Sequence, residues 1–220
     1  MTSPPAAVAP LLAIGETMAM VAPTTATRLV DAVEFRVDAG GAESNVAAHV
    51  AAHGHRAGWF SRLGDDPLGH RVVRLLAARG VDVSAVGFDP GHPTGVYFKD
   101  PGHPVRYYRA GSAAAHLSAA DADAVALEGV RVVHVSGITA AISRSAAAFL
   151  DRVVDRARAA GLLVSFDVNH RAALWSTTEA ATPLEALARR ADVVFVGRDE
   201  AEALWGAADA AAIRARFPGV

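Results

Sequence analysis

The sequence predicts an α/β protein built around a mostly parallel sheet. Three runs carry that expectation: "VRVVHVSG" (130–137), "LLVSFDVN" (162–169) and "DVVFVG" (192–197). Each is almost continuously apolar, as a strand covered on both faces must be. They recur about every 30 residues, the length of a βαβ unit. Between the first two, residues 143–161 place Phe149, Leu150, Val153, Val154 and Ala157 on one helical face and stop at Gly161.

The elements upstream follow in order. "LLAIG" (11–15) reads as a strand, and the alternating "TMAMV" follows it. "EFRVDA" (34–39) alternates as a half-exposed strand should. A helix is expected from Glu43 to His53, with Gly54 suited to a left-handed residue after its end. "AGWFSRLG" (57–64) reads as a buried strand, and residues 67–80 as a helix opened by Pro67 and closed by Gly80. "VDVSAVGF" (81–88) is a further strand. "TGVYFKD" (94–100) and "PVRYYRA" (104–110) are alternating runs joined across Pro101 and Gly102, a hairpin pattern. Their mixed aromatics and arginines suggest that one face meets something other than core. Ser118, three residues before Asp121, opens a helix much like a capping box. A short helix ending near Arg190 precedes the last strand.

Composition narrows the chemistry. Of 220 residues, 52% are hydrophobic and 20% charged, a globular balance, and the formal charge of −2 gives no sign of a nucleic-acid or anionic-membrane partner. Cysteine is absent, so disulfides, thiol catalysis and cysteine metal sites are excluded. The opening "MTSPPAAVAPLLAIG" lacks a basic secretory n-region, and its apolar run is too short to span a bilayer. A soluble, cytoplasmic protein is expected. Lys99 is the only lysine, which rules out a Walker-type phosphate loop.

In open parallel sheets ligands bind beyond the carboxyl ends of the strands. The residues expected there are Gly15 and Glu16, Ser136 and Gly137, then Asp167, Asn169, His170 and Arg171, and finally Gly197 to Glu200. Asp167, Asn169 and Arg171 fall within five residues. The Gly40–Gly41 pair can be a tight turn into a helix or a bare backbone for a ligand; Asn45 just beyond favours the second. Neutral donors and acceptors of that kind suit a polyol better than a phosphate. Arg109 and Arg171 offer planar two-pronged donors for a carboxylate, and surface ion pairing is the plainer reading of both. His49 and His53 share a helix face, with His55 beyond. They could share a metal, but Val50 stands where a metalloprotease needs glutamate, and solvent-facing histidines are favoured.

"GGAESNVAAHVAAHG" and "GWFSRLGDDPLG" resemble the N-terminal signature of the PfkB, or ribokinase-like, sugar kinases. "TGVYFKD", "YYRAGSAAAHLS", "VHVSGITAAIS", "SFDVNHRAALWS" and "VFVGRDEAEALWG" resemble, in order, the 2-keto-3-deoxygluconate kinase branch. The resemblance implies a ribokinase-like three-layer core with a small β-sheet lid, one domain over 1–220, its lid strands near 34–39 and 94–110. It implies ATP-dependent phosphoryl transfer to a terminal hydroxyl of a keto-sugar acid, with Mg²⁺, and a homodimer formed through the lid. By matched motif, Gly41 and Asn45 would hold sugar oxygens, Tyr97 and Tyr107 would line the lid side, and Arg109 and Arg171 would contact the sugar acid. Asn169 and Glu200 would lie toward the cofactor phosphates, Glu200 acting indirectly on the metal.

Two departures stand out. Gly197 occupies the place of the family's asparagine before Glu200. The family's catalytic Asp-Thr-x-Gly-Ala-Gly-Asp motif, which supplies the base, does not occur in these residues. The expectation is therefore an N-terminal portion with its C-terminal part missing, no catalytic base of its own, an uncovered apolar sheet edge, and no turnover by itself. A neutral-sugar kinase of fructose or ribose type, and a non-catalytic sugar-acid-binding or dimerisation fragment, are the alternatives.

Overall fold

The computed structural model describes residues 10–219. Strands β1 (Leu11–Ile14), β4 (Ala57–Gly64), β5 (Val86–Asp89), β8 (Val132–Ser136), β9 (Leu163–Asp167) and β10 (Val193–Phe195) form one sheet in the order β10-β9-β8-β1-β4-β5, parallel throughout. A second sheet has the order β3-β2-β6-β7, from β2 (Met18–Pro23), β3 (Phe35–Gly40), β6 (Val96–Phe98) and β7 (Arg106–Tyr108).

Alternation along the parallel strands divides the core. Leu12, Ile14, Val133, Val135, Val164 and Phe166 pack with Phe149, Leu150, Val153, Val154 and Ala157 of α5 (Arg144–Ala159) and with Leu184 of α6 (Thr177–Ala188). On the opposite face Ala13, Trp59 and Leu63 meet Ala47 of α1 (Ala42–Ala52) and Val72 and Leu76 of α2 (Pro67–Ala78). The result is helix, sheet, helix. A side chain such as Phe149, with no exposed surface, contributes about 1.5–3 kcal/mol by leaving water.

The local signals act as their chemistry dictates. Asp66 caps α2 by accepting the Gly69 N–H at 2.8 Å, with Pro67 at the first helical position. Ser118 and Asp121 form a capping box on α3 (Ala119–Asp123). Gly54, Gly80 and Gly161 have φ of 81°, 81° and 69°, the left-handed stops expected of them.

Three readings change. "TMAMV" becomes β2, an inner strand of the small sheet, antiparallel to β3 and parallel to β6. Its residues Met18, Ala19 and Met20 are all buried, because the strand is covered on both faces, so its apparent alternation is lost. "EFRVDA" does not alternate either: β3 runs from exposed Phe35 and Arg36 into buried Ala39 and Gly40, entering the protein end-on. In "VDVSAVGF" only Val86–Asp89 is strand; Asp82 makes an isolated bridge to Gly58. At the β10 edge Val193 and Phe195 are 44% and 56% exposed, beside Leu163 at 52%.

Candidate functional site

The chain starts the parallel sheet at β1, winds outward through β4 and β5, then returns to the other side through β8, β9 and β10. Such a reversal leaves a crevice at the carboxyl ends of the strands on either side of it. Here it opens as a cavity of about 590 Å³, roofed by the small sheet and floored by the strand ends.

Seven of the eight residues singled out from sequence line this one cavity: Gly41, Asn45, Tyr97, Tyr107, Arg109, Asn169 and Arg171. The local structure explains how they meet. Gly41 precedes α1 with an extended backbone, φ −157°, and Asn45 is exposed in the helix's first turns. The β6–β7 hairpin sets Tyr97 opposite Tyr107, ring centroids 5.7 Å apart. Arg109 follows β7, its Cζ 5.8 Å from the Tyr107 ring. Asn169, just past β9, adopts φ 43°, the only positive φ of a non-glycine residue among those described. Asparagine tolerates that region, and its amide donates to Asp167 at 3.1 Å.

Glu200 is not in the cavity wall. It lies in α7 (Arg198–Trp205), where its Oε2 accepts the Gly197 N–H at 3.0 Å and so caps its own helix. Its charge is still felt at the site: burial, then Glu200, pushes the Asp167 carboxyl above its ordinary range.

The paired glycines have a second reason to be bare. A Cβ on Gly40 would lie 2.1 Å from the Tyr97 hydroxyl, and one on Gly41 would lie 2.4 Å from both the Glu16 carbonyl and Thr17 Oγ1. Neither glycine has a positive φ. The close approach they permit is first that of protein on protein: Gly40 on Tyr97 within the small sheet, and Gly41, at the start of α1, on Glu16 and Thr17.

Arg109 differs most from its sequence reading. It is neither on the surface nor unpartnered: its guanidinium pairs with Glu16, and the two side chains are 10% and 1% exposed. The other Glu16 oxygen accepts from Ser112 Oγ at 2.6 Å. Arg171 remains exposed at the rim.

Sequence reasoning gave Glu16 and Asp167 positions but no role, and it overlooked Glu43. That residue is fully buried in α1, where its Oε1 accepts from Ser136 Oγ at 2.6 Å and Thr139 Oγ1 at 3.2 Å. Burial pushes its carboxyl from 4.5 to about 7. Gly15 lies against it, since a Cβ there would be 2.2 Å from the carboxylate. A glutamate in an alanine-rich helix reads as solvent-facing, so only its adjacency to the glycine pair could have signalled otherwise. The histidines His49, His53 and His55 are exposed, and His53 Nδ1 lies 2.8 Å from the His49 carbonyl oxygen.

An α/β core with a cavity at its winding reversal, roofed by a small sheet and lined by polar side chains, defines a ribokinase-like small-molecule site. The chain belongs to the pfkB family of carbohydrate kinases, whose profile matches residues 9–220. It is 35% identical over 214 residues to the 2-dehydro-3-deoxygluconokinase of Thermoproteus tenax, covering 94% of this chain and 65% of that protein. It is 37% identical over 200 residues to the enzyme of the same name from Bacillus subtilis (87% and 61%). Fructokinase-1 of Oryza sativa subsp. japonica is 34% identical over 202 residues (89% and 62%). Among solved structures, a PfkB protein from Polaromonas sp. JS666 superposes with TM-score 0.88 at 35% identity, over 96% of this chain and 73% of that one. A fructokinase from Xylella fastidiosa with bound ATP gives 0.81 at 27% (94% and 64%). The chain thus spans less than two thirds of the length of the curated relatives it matches.

Proposed function

We propose that this chain seats a keto-sugar acid of the 2-keto-3-deoxygluconate type for ATP-dependent phosphorylation at a terminal hydroxyl. The observation that carries the reading is the presence of Arg109 and Arg171 in the same cavity as Gly41, Asn45, Tyr97 and Tyr107. A guanidinium grips a carboxylate through two parallel donors, and amide and phenol groups match sugar hydroxyls. The 2-dehydro-3-deoxygluconokinase names of two relatives support the substrate class. The ATP bound in the Xylella fructokinase supports the phosphoryl donor.

Asp167, Asn169 and Glu200 supply carboxylate and amide oxygens, the donor set Mg²⁺ prefers. Burial first, and the Glu200 charge second, raise the Asp167 carboxyl above its ordinary range. Asp167 and Asn169, which line the cavity, would face the metal, with Glu200 acting on it indirectly; when bound, the metal would neutralise charge on the transferring phosphoryl group. The residues in hand bind and orient: the arginines fix the acid end of the sugar, Gly41 and Asn45 its hydroxyls, and the tyrosine pair shields it from water. No residue of this chain is assigned as the base.

The outer part of the small sheet exposes Phe35 and Tyr108, at 42% and 67%, and we propose that a second copy covers it. Among the described residues no helix is long and apolar enough to cross a membrane, and a cytoplasmic setting is proposed.

A neutral-sugar substrate is the second reading. The similarity to fructokinases favours it. Titration calorimetry of the 220-residue chain with 2-keto-3-deoxygluconate and with fructose separates the two. Preference for the acid is expected, and Arg171→Ala should reduce acid affinity by about 10- to 150-fold, the worth of a hydrogen bond to a charged group. Equal binding of both sugars, or an unaffected variant, overturns the acid reading. Acid binding by the complete polypeptide without any ATP turnover would make it a binding module instead.

A further inference from the structure

We propose that Glu16 is a positioning residue for the sugar acid: it fixes the Arg109 guanidinium in the cavity wall so that its remaining donors meet the ligand's carboxylate. The role rests on the substrate reading above. Glu16 lies two residues past the end of β1, where the chain leaves the core for the small sheet, and Arg109 lies just past β7, where the hairpin returns. Their ion pair therefore ties the roof of the cavity to its floor.

Glu16 itself has little freedom. Its carbonyl packs against Gly41, where a Cβ would lie 2.4 Å away, and its Oε1 passes Gly95, where a Cβ would lie 3.1 Å away. Oε1 accepts from Ser112 at 2.6 Å while Oε2 meets Arg109. Gly95 and the segment that carries both Arg109 and Ser112 thus enclose one buried carboxylate. Its Oε1 is hydrogen-bonded and its Oε2 is paired with the guanidinium, as a buried acidic group requires.

Arg109 is held but not satisfied. Its Nε is buried without an acceptor among the described residues, although the residue lines the cavity. A buried donor left unmade is unfavourable, and a ligand carboxylate entering the cavity supplies the acceptor. Because the guanidinium is planar, anchoring one branch orients the others. A donor set ordered in advance spares the ligand the entropy of ordering it. Arg171, exposed at the rim, has no such anchor among the described residues. Ser112 extends the arrangement one step further back, holding Glu16 as Glu16 holds Arg109.

The test uses the 220-residue chain and its Glu16→Gln, Arg109→Lys, double and Ser112→Ala variants. Affinity for 2-keto-3-deoxygluconate is measured by calorimetry, and thermal unfolding is followed alongside. Glu16→Gln keeps the acceptor for Ser112 but removes the charge, and is expected to weaken acid binding about tenfold or more. Arg109→Lys should do likewise, and the double variant should be no worse than about threefold below the weaker single, because both act through one contact. A merely structural pair would lower the unfolding midpoint and leave that non-additivity in ligand affinity absent. Acid affinity of Glu16→Gln within twofold of the parent, or losses that multiply in the double variant, overturns the proposal. Should Glu16→Gln fail to fold, Ser112→Ala decides: a loss of about threefold or more supports the positioning chain, and unchanged affinity overturns it. If the parent chain binds no sugar acid, the substrate reading falls and this one with it. If the parent binds and Glu16→Gln matches it, only this proposal falls.

Discussion

Replacing Glu43 by glutamine tests whether one buried carboxyl couples this fold to pH. Glu43 has no exposed surface, its Oε2 has no partner among the described residues, and burial raises its carboxyl from 4.5 to about 7. Between those values the folded chain holds a proton that the unfolded chain has released. Stability contributed by the protonated acid is therefore complete below about pH 4.5 and is lost as pH rises to about 7. A difference of that width, at 1.36 kcal/mol per unit, amounts to about 3 kcal/mol.

The wild-type chain should hide most of this. His134, buried on β8 at 4% exposure, is pushed by burial from 6.5 down to about 4. In that window the unfolded chain binds the extra proton, so His134 makes stability rise with pH, again by about 3 kcal/mol. The two slopes oppose each other between pH 4.5 and 6.5 and nearly cancel. Glu43→Gln keeps the shape and the acceptor for Ser136 and Thr139 but does not titrate. Urea unfolding of both proteins from pH 4.5 to 8 should show similar stability at the acid end. The variant should then climb to about 3 kcal/mol above the parent by pH 8. A stability difference that stays constant across the range would refute the reasoning, because it would mean that Glu43 titrates alike in both states.

Two further outcomes are expected. Gly41→Ala forces a Cβ to within 2.4 Å of the Glu16 carbonyl and Thr17 Oγ1, which only a main-chain shift relieves. It should cost about 1–3 kcal/mol, or about 2–4 °C of melting temperature per kcal/mol in a domain this size, measured by scanning calorimetry. Phe195→Lys, on the exposed β10 edge, should reduce self-association in sedimentation runs while changing stability by no more than about 0.5 kcal/mol.

Legibility followed how local the cause was. Capping residues, left-handed glycines and the apolar face of α5 are decided within a few residues, and each stands where its sequence placed it. The sheet of parallel strands was legible because burial on both faces erases alternation. Periodicity misled at β2, which read as alternating although Met18, Ala19 and Met20 are all buried. Its inner position depends on β3 and β6, which are distant in the chain. Asp167, Asn169 and Arg171 could be named because the ends of parallel strands converge by topology, whereas Tyr97 and Tyr107 were assigned to the cavity through the family resemblance. Distant partners could not be named: Glu16 with Arg109, and Glu43 with Ser136, are joined across 93 residues each, and no short-range rule pairs them.

Those pairings alter what the cavity can distinguish. Its wall carries two acids, Glu16 and Asp167, against two arginines, Arg109 and Arg171. Counting arginines alone would predict a site for a strongly anionic ligand. With Glu16 committed to Arg109 and Asp167 beside Arg171, the wall is nearly balanced, and a ligand bearing several charges would gain little. A single carboxylate needs only the donors that the Glu16 pairing leaves over, while the rest of the ligand meets neutral amide, phenol and main-chain groups. On the proposed sugar-acid reading, selectivity for a single acid group would follow from partial compensation, in which geometry contributes as much as net charge.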